Sequence, residues 1–260
     1  MASGAQARKY GVGYFDVAHH GARIEESTGG VGYLRLNAYA RKNTQERPFG
    51  VANDYIASSL GIAAGLPIAP GTLIEVYGGG YNYASLAFGD RGDQPPPIIP
   101  PRFCEERPWE ACGIIAFDQW IFNTDRHEKN IGHLPGVSVG LFDHDLSLMN
   151  HAQTSDEALS LLADWQDSAG KFHCLPPHVT DVSHFAEWFE RIASVTRREI
   201  RRVMSTAYTA GLIDATLRDA LTSFIEHRQT RISSFIDETR DQYRSVSSWT
   251  LDLKEVDGGS

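Results

Sequence analysis

Over the first fifty residues, apolar positions recur in short alternating runs. Tyr10, Val12, Tyr14, Phe15 and Val17 come first, then Tyr33-Leu34-Arg35-Leu36, with Gly29-Gly30 between them. Period-two alternation broken by glycine predicts short antiparallel strands. From Val51 to about Ala64 the spacing changes: Val51, Tyr55 and Leu60 fall near one face of a helix that Gly65 and Pro67 terminate. Thr72–Val76 predicts a further strand, giving a β-β-α-β order. Gly78-Gly79-Gly80 then opens an irregular stretch that runs through Pro95-Pro96-Pro97 to Pro100-Pro101 and is predicted to join two lobes.

Pro108 to Phe122 predicts a buried helix, with Pro108 suited to its first turn. Beyond it, Phe185, Trp188, Phe189 and Ile192, and later Leu217, Leu221, Phe224, Ile225, Ile232 and Phe235, recur at helical spacing. The expected organisation is an N-terminal lobe over 1–77, a hinge and Gly/Pro-rich connector over 78–107, a helical lobe over 108–245 and a disordered tail over 246–260. The pattern contains no internal repeat.

Composition narrows the classes. The chain has 260 residues, 42% hydrophobic and 22% charged, which suits a soluble globular protein with a sizeable core. A formal net charge of −9 argues against direct nucleic-acid binding, which needs a basic face. Cys104, Cys112 and Cys174 form no Cys-x-x-Cys pair and are expected as reduced thiols. No apolar run approaches the ~20 residues of a membrane span, and the N-terminus lacks a signal-type apolar core. The expectation is a cytoplasmic protein without membrane contact.

The chemistry concentrates in Phe117-Asp118-Gln119-Trp120-Ile121-Phe122-Asn123-Thr124-Asp125-Arg126-His127-Glu128-Lys129-Asn130, followed by Gly140-Leu141-Phe142-Asp143-His144. An Asp and an Asn five residues apart follow an apolar segment, and a second Asp ends a short apolar strand. Phosphoryl transfer of the kinase type uses this set. Asp125 can accept a hydroxyl proton and align the nucleophile. Asn130 offers a neutral amide oxygen to Mg2+, and Asp143 a negative one.

These residues resemble the HipA-like kinase family, a bacterial branch of the protein-kinase-like fold that is also similar to phosphatidylinositol kinases. Its catalytic loop reads N-x-D-R-x-x-x-N and its metal loop commonly I-D-H, here Asn123 to Asn130 and Phe142-Asp143-His144. The similarity extends through Asn53-Asp54-Tyr55-Ile56-Ala57, Gly65-Leu66-Pro67-Ile68-Ala69, Leu73-Ile74-Glu75-Val76 and Leu86-Ala87-Phe88-Gly89, or roughly residues 30 to 240. The resemblance implies an α+β, two-lobed kinase-like fold with a small mixed sheet and one main helix in the N-lobe and a mostly helical C-lobe. It further implies ATP and Mg2+ as cofactors, a protein Ser/Thr hydroxyl or small-molecule acceptor, and a place for a regulatory protein partner. Arg126 and His127 would shape the loop through hydrogen bonds to backbone carbonyls or to Asp143.

The family's strand lysine and helix glutamate would be replaced here by Arg35, in Gly32-Tyr33-Leu34-Arg35-Leu36-Asn37, and Asp54, with Lys42 as a substitute cation. Ser27 and Thr28, before Gly29-Gly30, could cradle phosphate, and Glu75-Val76-Tyr77 would mark the hinge facing adenine. The Arg35/Asp54 substitution motivates a second reading, a pseudokinase that binds nucleotide or a partner without transfer. A third reading takes His127, His133, Asp143, His144 and Asp145 as a transition-metal cluster, although no His-x-x-x-His pair is present. Neither G-x-x-x-x-G-K-[ST] nor G-x-S-x-G occurs.

Overall fold

The computed structural model describes residues 19–23, 32–35, 37–87, 95–134, 138–163 and 173–249. The N-terminal part is built on two small antiparallel sheets. In the first, β1 (His19–Arg23) pairs with β2 (Gly32–Arg35). The second has β3 (Ala38–Arg41), β4 (Gly71–Glu75) and β5 (Tyr81–Leu86) in the order β3-β5-β4. Helix α1 (Gly50–Ala63) lies between β3 and β4 in sequence and packs against β4 and β5.

Sequence did not single out β1, β3 or β5, and for β5 the cause is a misread glycine run. Gly78, Gly79 and Gly80 have φ of 100°, 101° and 87°, values that L side chains rarely adopt. They turn β4 directly into β5, with Val76 donating to Gly80 O at 3.0 Å and Glu75 opposite Tyr81. Triple glycine here makes a tight reversal within one sheet, where a connector was expected to begin. Likewise Pro100 and Pro101 do not belong to a connector. They open α2 (Pro100–Glu106), where a missing N–H costs nothing.

The remainder is mostly helical. Helix α3 (Pro108–Trp120) is its axis, packed against α2, α5 (Phe185–Ala193) and α7 (Ala215–Glu238). Helix α4 (Ser155–Ala163) packs on α7, and α6 (Arg197–Thr209) packs on both α7 and α1. Between α3 and α4 stands a hairpin of β6 (Ile131–Leu134) and β7 (Ser138–Leu141). Ile68 bridges to Leu141 on one side of the hairpin and Pro97 to Gly132 on the other, so segments that precede α2 flank both strands. Val246 and Trp249 pack against the core, so the packed chain runs past the expected limit at 245. No helix among the described residues is long and apolar enough to cross a membrane.

Helix α1 is apolar nearly all round, and it is enclosed accordingly. Val51, Ala52, Ile56, Ala57 and Leu60 are fully buried between the sheet and α6. At Gly61 a Cβ would stand 2.3 Å from Ile68 Cδ1 and 2.8 Å from the Phe117 ring. Only glycine admits that approach.

A second close approach gives a stability prediction. A Cβ on Gly113 of α3 would stand 2.2 Å from the Trp188 indole, which cannot easily retreat because its Nε1 donates to Trp109 O at 2.7 Å. Gly113→Ala should gain about 1 kcal/mol of helix propensity yet lose about 1–3 kcal/mol to overpacking. Equilibrium urea unfolding is expected to show net destabilisation. A variant as stable as the parent would mean that Trp188 has room to move.

Candidate active site

Helix α3 ends at Trp120, and Phe122 turns the chain with a left-handed φ of 51°. The loop from Asn123 to Asn130 is folded around one buried ion pair. Asp118, still on α3, receives Arg126 Nε at 2.7 Å and Nη2 at 2.9 Å, and accepts Asn123 Nδ2 at 2.9 Å. His173 Nε2 stands 3.0 Å from the same carboxylate, while His173 Nδ1 accepts the Leu175 N–H at 3.2 Å. Arg126 is fully buried, and its Nη1 donates to the carbonyls of Asn130 at 3.2 Å and Phe142 at 3.1 Å. One guanidinium thereby joins the two segments that sequence singled out.

Local bonds complete the loop. The Asp125 N–H donates to Asn123 Oδ1 at 3.1 Å, and Asn130 Nδ2 donates to Asp125 O at 3.0 Å. With its amide nitrogen engaged, Asn130 keeps Oδ1 as its acceptor-type atom. His127 Nδ1 accepts the Lys129 N–H at 3.2 Å and caps the short 3-10 turn Glu128–Asn130. Arg126 and His127 therefore support the backbone, and Arg126 reaches the residue before Asp143 rather than Asp143 itself.

Burial alone would raise the Asp118 carboxyl, but the Arg126 charge and hydrogen bonds hold it well below the usual carboxylate range. Burial pushes His173 below its ordinary value despite the nearby Asp118. The folded state thus resists a proton that the unfolded chain accepts near pH 6.5. This contribution is complete above about pH 6.5 and is lost as pH falls through the depressed folded value. Urea midpoints measured from pH 8 to pH 5 should drop in the lower half of that range, and drop less in His173→Gln.

A cavity of about 380 Å³ has a lining that includes Arg41, Lys42, Asp54, Tyr83, Phe142 and Asp143. Arg41, at the end of β3, gathers three carboxylates. Its Nε pairs with Asp54, its Nη2 with Asp143, and its Nη1 with Asp145 at 2.9 Å. Asp54 also accepts the His144 N–H at 2.8 Å, tying α1 to the segment after β7. Burial raises Asp54, while the His144 hydrogen bond and the Arg41 charge bring it below its ordinary value. Asp145 goes the other way: burial pushes it up to about 6, with Arg41 opposing and Asp143 repelling.

The cation facing Asp54 is therefore Arg41, six positions beyond the expected Arg35. Arg35 belongs to β2, outside the three-stranded sheet that flanks the cavity. Lys42 does line the cavity. Glu75, Val76 and Tyr77 sit at the β4–β5 turn, Tyr77 fully exposed, and none lines the cavity. They fail as a hinge because the chain reverses there into β5. Ser27 and Thr28 lie outside the described residues. Asp143 lines the cavity, whereas Asp125 and Asn130 stand in the adjoining loop that Arg126 pins to Phe142. Among the described residues, no three His, Cys, Asp or Glu side chains are grouped to hold a metal, so the His/Asp transition-metal reading gains no support.

Sequence reasoning missed Asp118, His173 and Arg41. Asp118 did leave a signal: a carboxylate beyond the first turn of an apolar helix, five residues before Asn123 and eight before Arg126. A charge in such a place needs a buried partner.

Neither a protein-family model nor a curated protein matches this chain in sequence. Among solved structures it is similar to the Helicobacter pylori proinflammatory kinase CtkA, with a TM-score of 0.55 and 12% identity over 88% of this chain and 98% of that one. A second match is the Shewanella oneidensis MR-1 toxin–antitoxin system HipA, HipB and operator DNA complex, with a TM-score of 0.40 and 14% identity over 82% of this chain and 64% of that one. What the chain shares with CtkA at this identity is its protein-kinase-like fold.

Proposed function

We propose that the chain is an ATP- and Mg2+-dependent phosphotransferase acting on a hydroxyl, with a Ser or Thr side chain of a protein as the favoured acceptor. The observation that carries this reading is the Arg41 guanidinium held between Asp54 of α1 and Asp143 at the edge of the cavity. Strand cation, helix carboxylate and metal-type aspartate are the three groups that a kinase must bring together around nucleotide phosphates.

The donor set suits Mg2+, which prefers hard oxygen ligands: a carboxylate from Asp143 and the amide oxygen of Asn130. When bound, Mg2+ neutralises phosphate charge. Arg41 supplies a planar, permanently charged donor to the phosphates, and Asp54 keeps it aimed. The Asp125 carboxylate accepts the proton of the acceptor hydroxyl and orients its oxygen. Arg126 takes no part in proton transfer and fixes the backbone that carries Asp125 and Asn130.

A second reading is favoured by one observation. Arg41 pairs with Asp143 and Asp145 together, so a metal must compete with Arg41 for those carboxylates, and nucleotide phosphate must compete with them for Arg41. A pseudokinase, binding a nucleotide or a partner protein without transfer, fits that arrangement.

Thermal shift with ATP, with and without Mg2+, beside γ-labelled ATP transfer in cell extract, separates the two. Mg2+-dependent stabilisation together with labelled protein supports the phosphotransferase. Stabilisation without label supports the pseudokinase, and no response to nucleotide in either assay removes the phosphotransferase and leaves only the partner-binding form of the pseudokinase.

A further inference from the structure

The segment after β7 holds unusual backbone. Asp143, Leu148 and Asn150 have φ of 62°, 52° and 49°, a left-handed region that non-glycine residues avoid. Such a conformation persists only where the surroundings fix it. Ile121 O, just after α3, accepts the Leu148 N–H at 2.9 Å, and the other fixing groups come from α1. Asn53, fully buried, donates from Nδ2 to Asp145 O at 2.7 Å and accepts the Met149 N–H on Oδ1 at 3.4 Å. Its neighbour Asp54 takes the His144 N–H. Two successive side chains of one helix thus satisfy three backbone groups of the strained segment.

We propose that Asn53 is a positioning residue: it holds the 143–149 segment, with its left-handed Asp143 and Leu148, in place, so that Asp143 presents its carboxylate to the cavity and its cation. The proposal rests on the phosphotransferase reading for the role of Asp143. An amide is required because the segment offers one acceptor and one donor, and only Asn or Gln supplies the complement. Gln would carry an extra methylene into a position that is already fully buried.

The test compares Asn53→Ala, Asn53→Asp and, as a control for loss of packing, Leu60→Ala elsewhere on α1. Amide hydrogen exchange on the ligand-free protein is the first measurement. Asn53→Ala should speed exchange at residues 144–149 at least about 10-fold relative to α3. Asn53→Asp, which keeps the acceptor, should retain more protection at Met149. Leu60→Ala should loosen α1 and leave this local contrast unchanged.

The second measurement is the Mg2+ concentration giving half of the ATP-induced thermal shift. It should rise about 10–100-fold in Asn53→Ala, the usual cost of losing support behind a metal ligand, and stay put in Leu60→Ala. Unchanged exchange at 144–149 overturns the proposal. So does a loosened segment with an unchanged Mg2+ midpoint, which would make Asn53 a packing residue only. If the unaltered protein shows no Mg2+-dependent shift at all, the phosphotransferase reading falls, and the exchange measurement still decides whether Asn53 holds the segment.

Discussion

Asp125→Asn is expected to slow phosphoryl transfer about 10²–10⁴-fold, the usual contribution of a positioned general base. The substitution is sterically mild here. Asp125 contributes its backbone N–H and carbonyl to the loop, to Asn123 and Asn130. An amide in place of the carboxylate keeps those bonds and removes only the proton acceptor. Single-turnover transfer from labelled ATP should therefore fall with little change in ATP binding or unfolding midpoint. Transfer at the parental rate would assign the base to another group, and a matching loss of stability would recast Asp125 as a structural residue.

The largest expected effect on stability comes from the pair under the loop. Asp118→Ala leaves the Arg126 charge fully buried without its counter-ion, a change that typically costs about 3–5 kcal/mol. Against a total stability of about 5–15 kcal/mol for a domain, that is a large share. Arg126→Met should cost a similar amount, since it strips Asp118 of its main partner and frees two carbonyls. The double variant should lose clearly less than the sum of the two, because no orphan charge remains. Denaturant titration of the four proteins gives the coupling directly. Strict additivity would show that Asp118 and Arg126 do not stabilise one another.

Much of the architecture was readable because its signals are local. The period-two run of β2, the 3.6-residue pattern of α1, α3 and α7, and Pro108 at the start of α3 each depend on a few neighbours in sequence. The linear spacing of Asp125, Asn130 and Asp143 was legible for the same reason. Pairings across the chain were not. Arg35 and Arg41 both end short stretches of β-type sequence, and only the β3–β5 register, with Arg41 opposite Tyr83, places the second one over Asp54. His173 lies 55 residues beyond Asp118, and nothing near it in sequence points back. Triple glycine misled because the same freedom that loosens a linker also makes a sharp reversal. Only the strand after it decides between the two.

Enclosure of α1 limits how this protein can be switched. Swinging that helix outward would expose Val51, Ile56 and Leu60 to water at about 1.5–3 kcal/mol each, before any loss of the Asp54 and Asn53 bonds. The sum, about 5–9 kcal/mol, rivals the stability of a whole domain. The helix is a fixed wall rather than a lever, and Asp54 stays facing Arg41 whether the cavity beside it is full or empty.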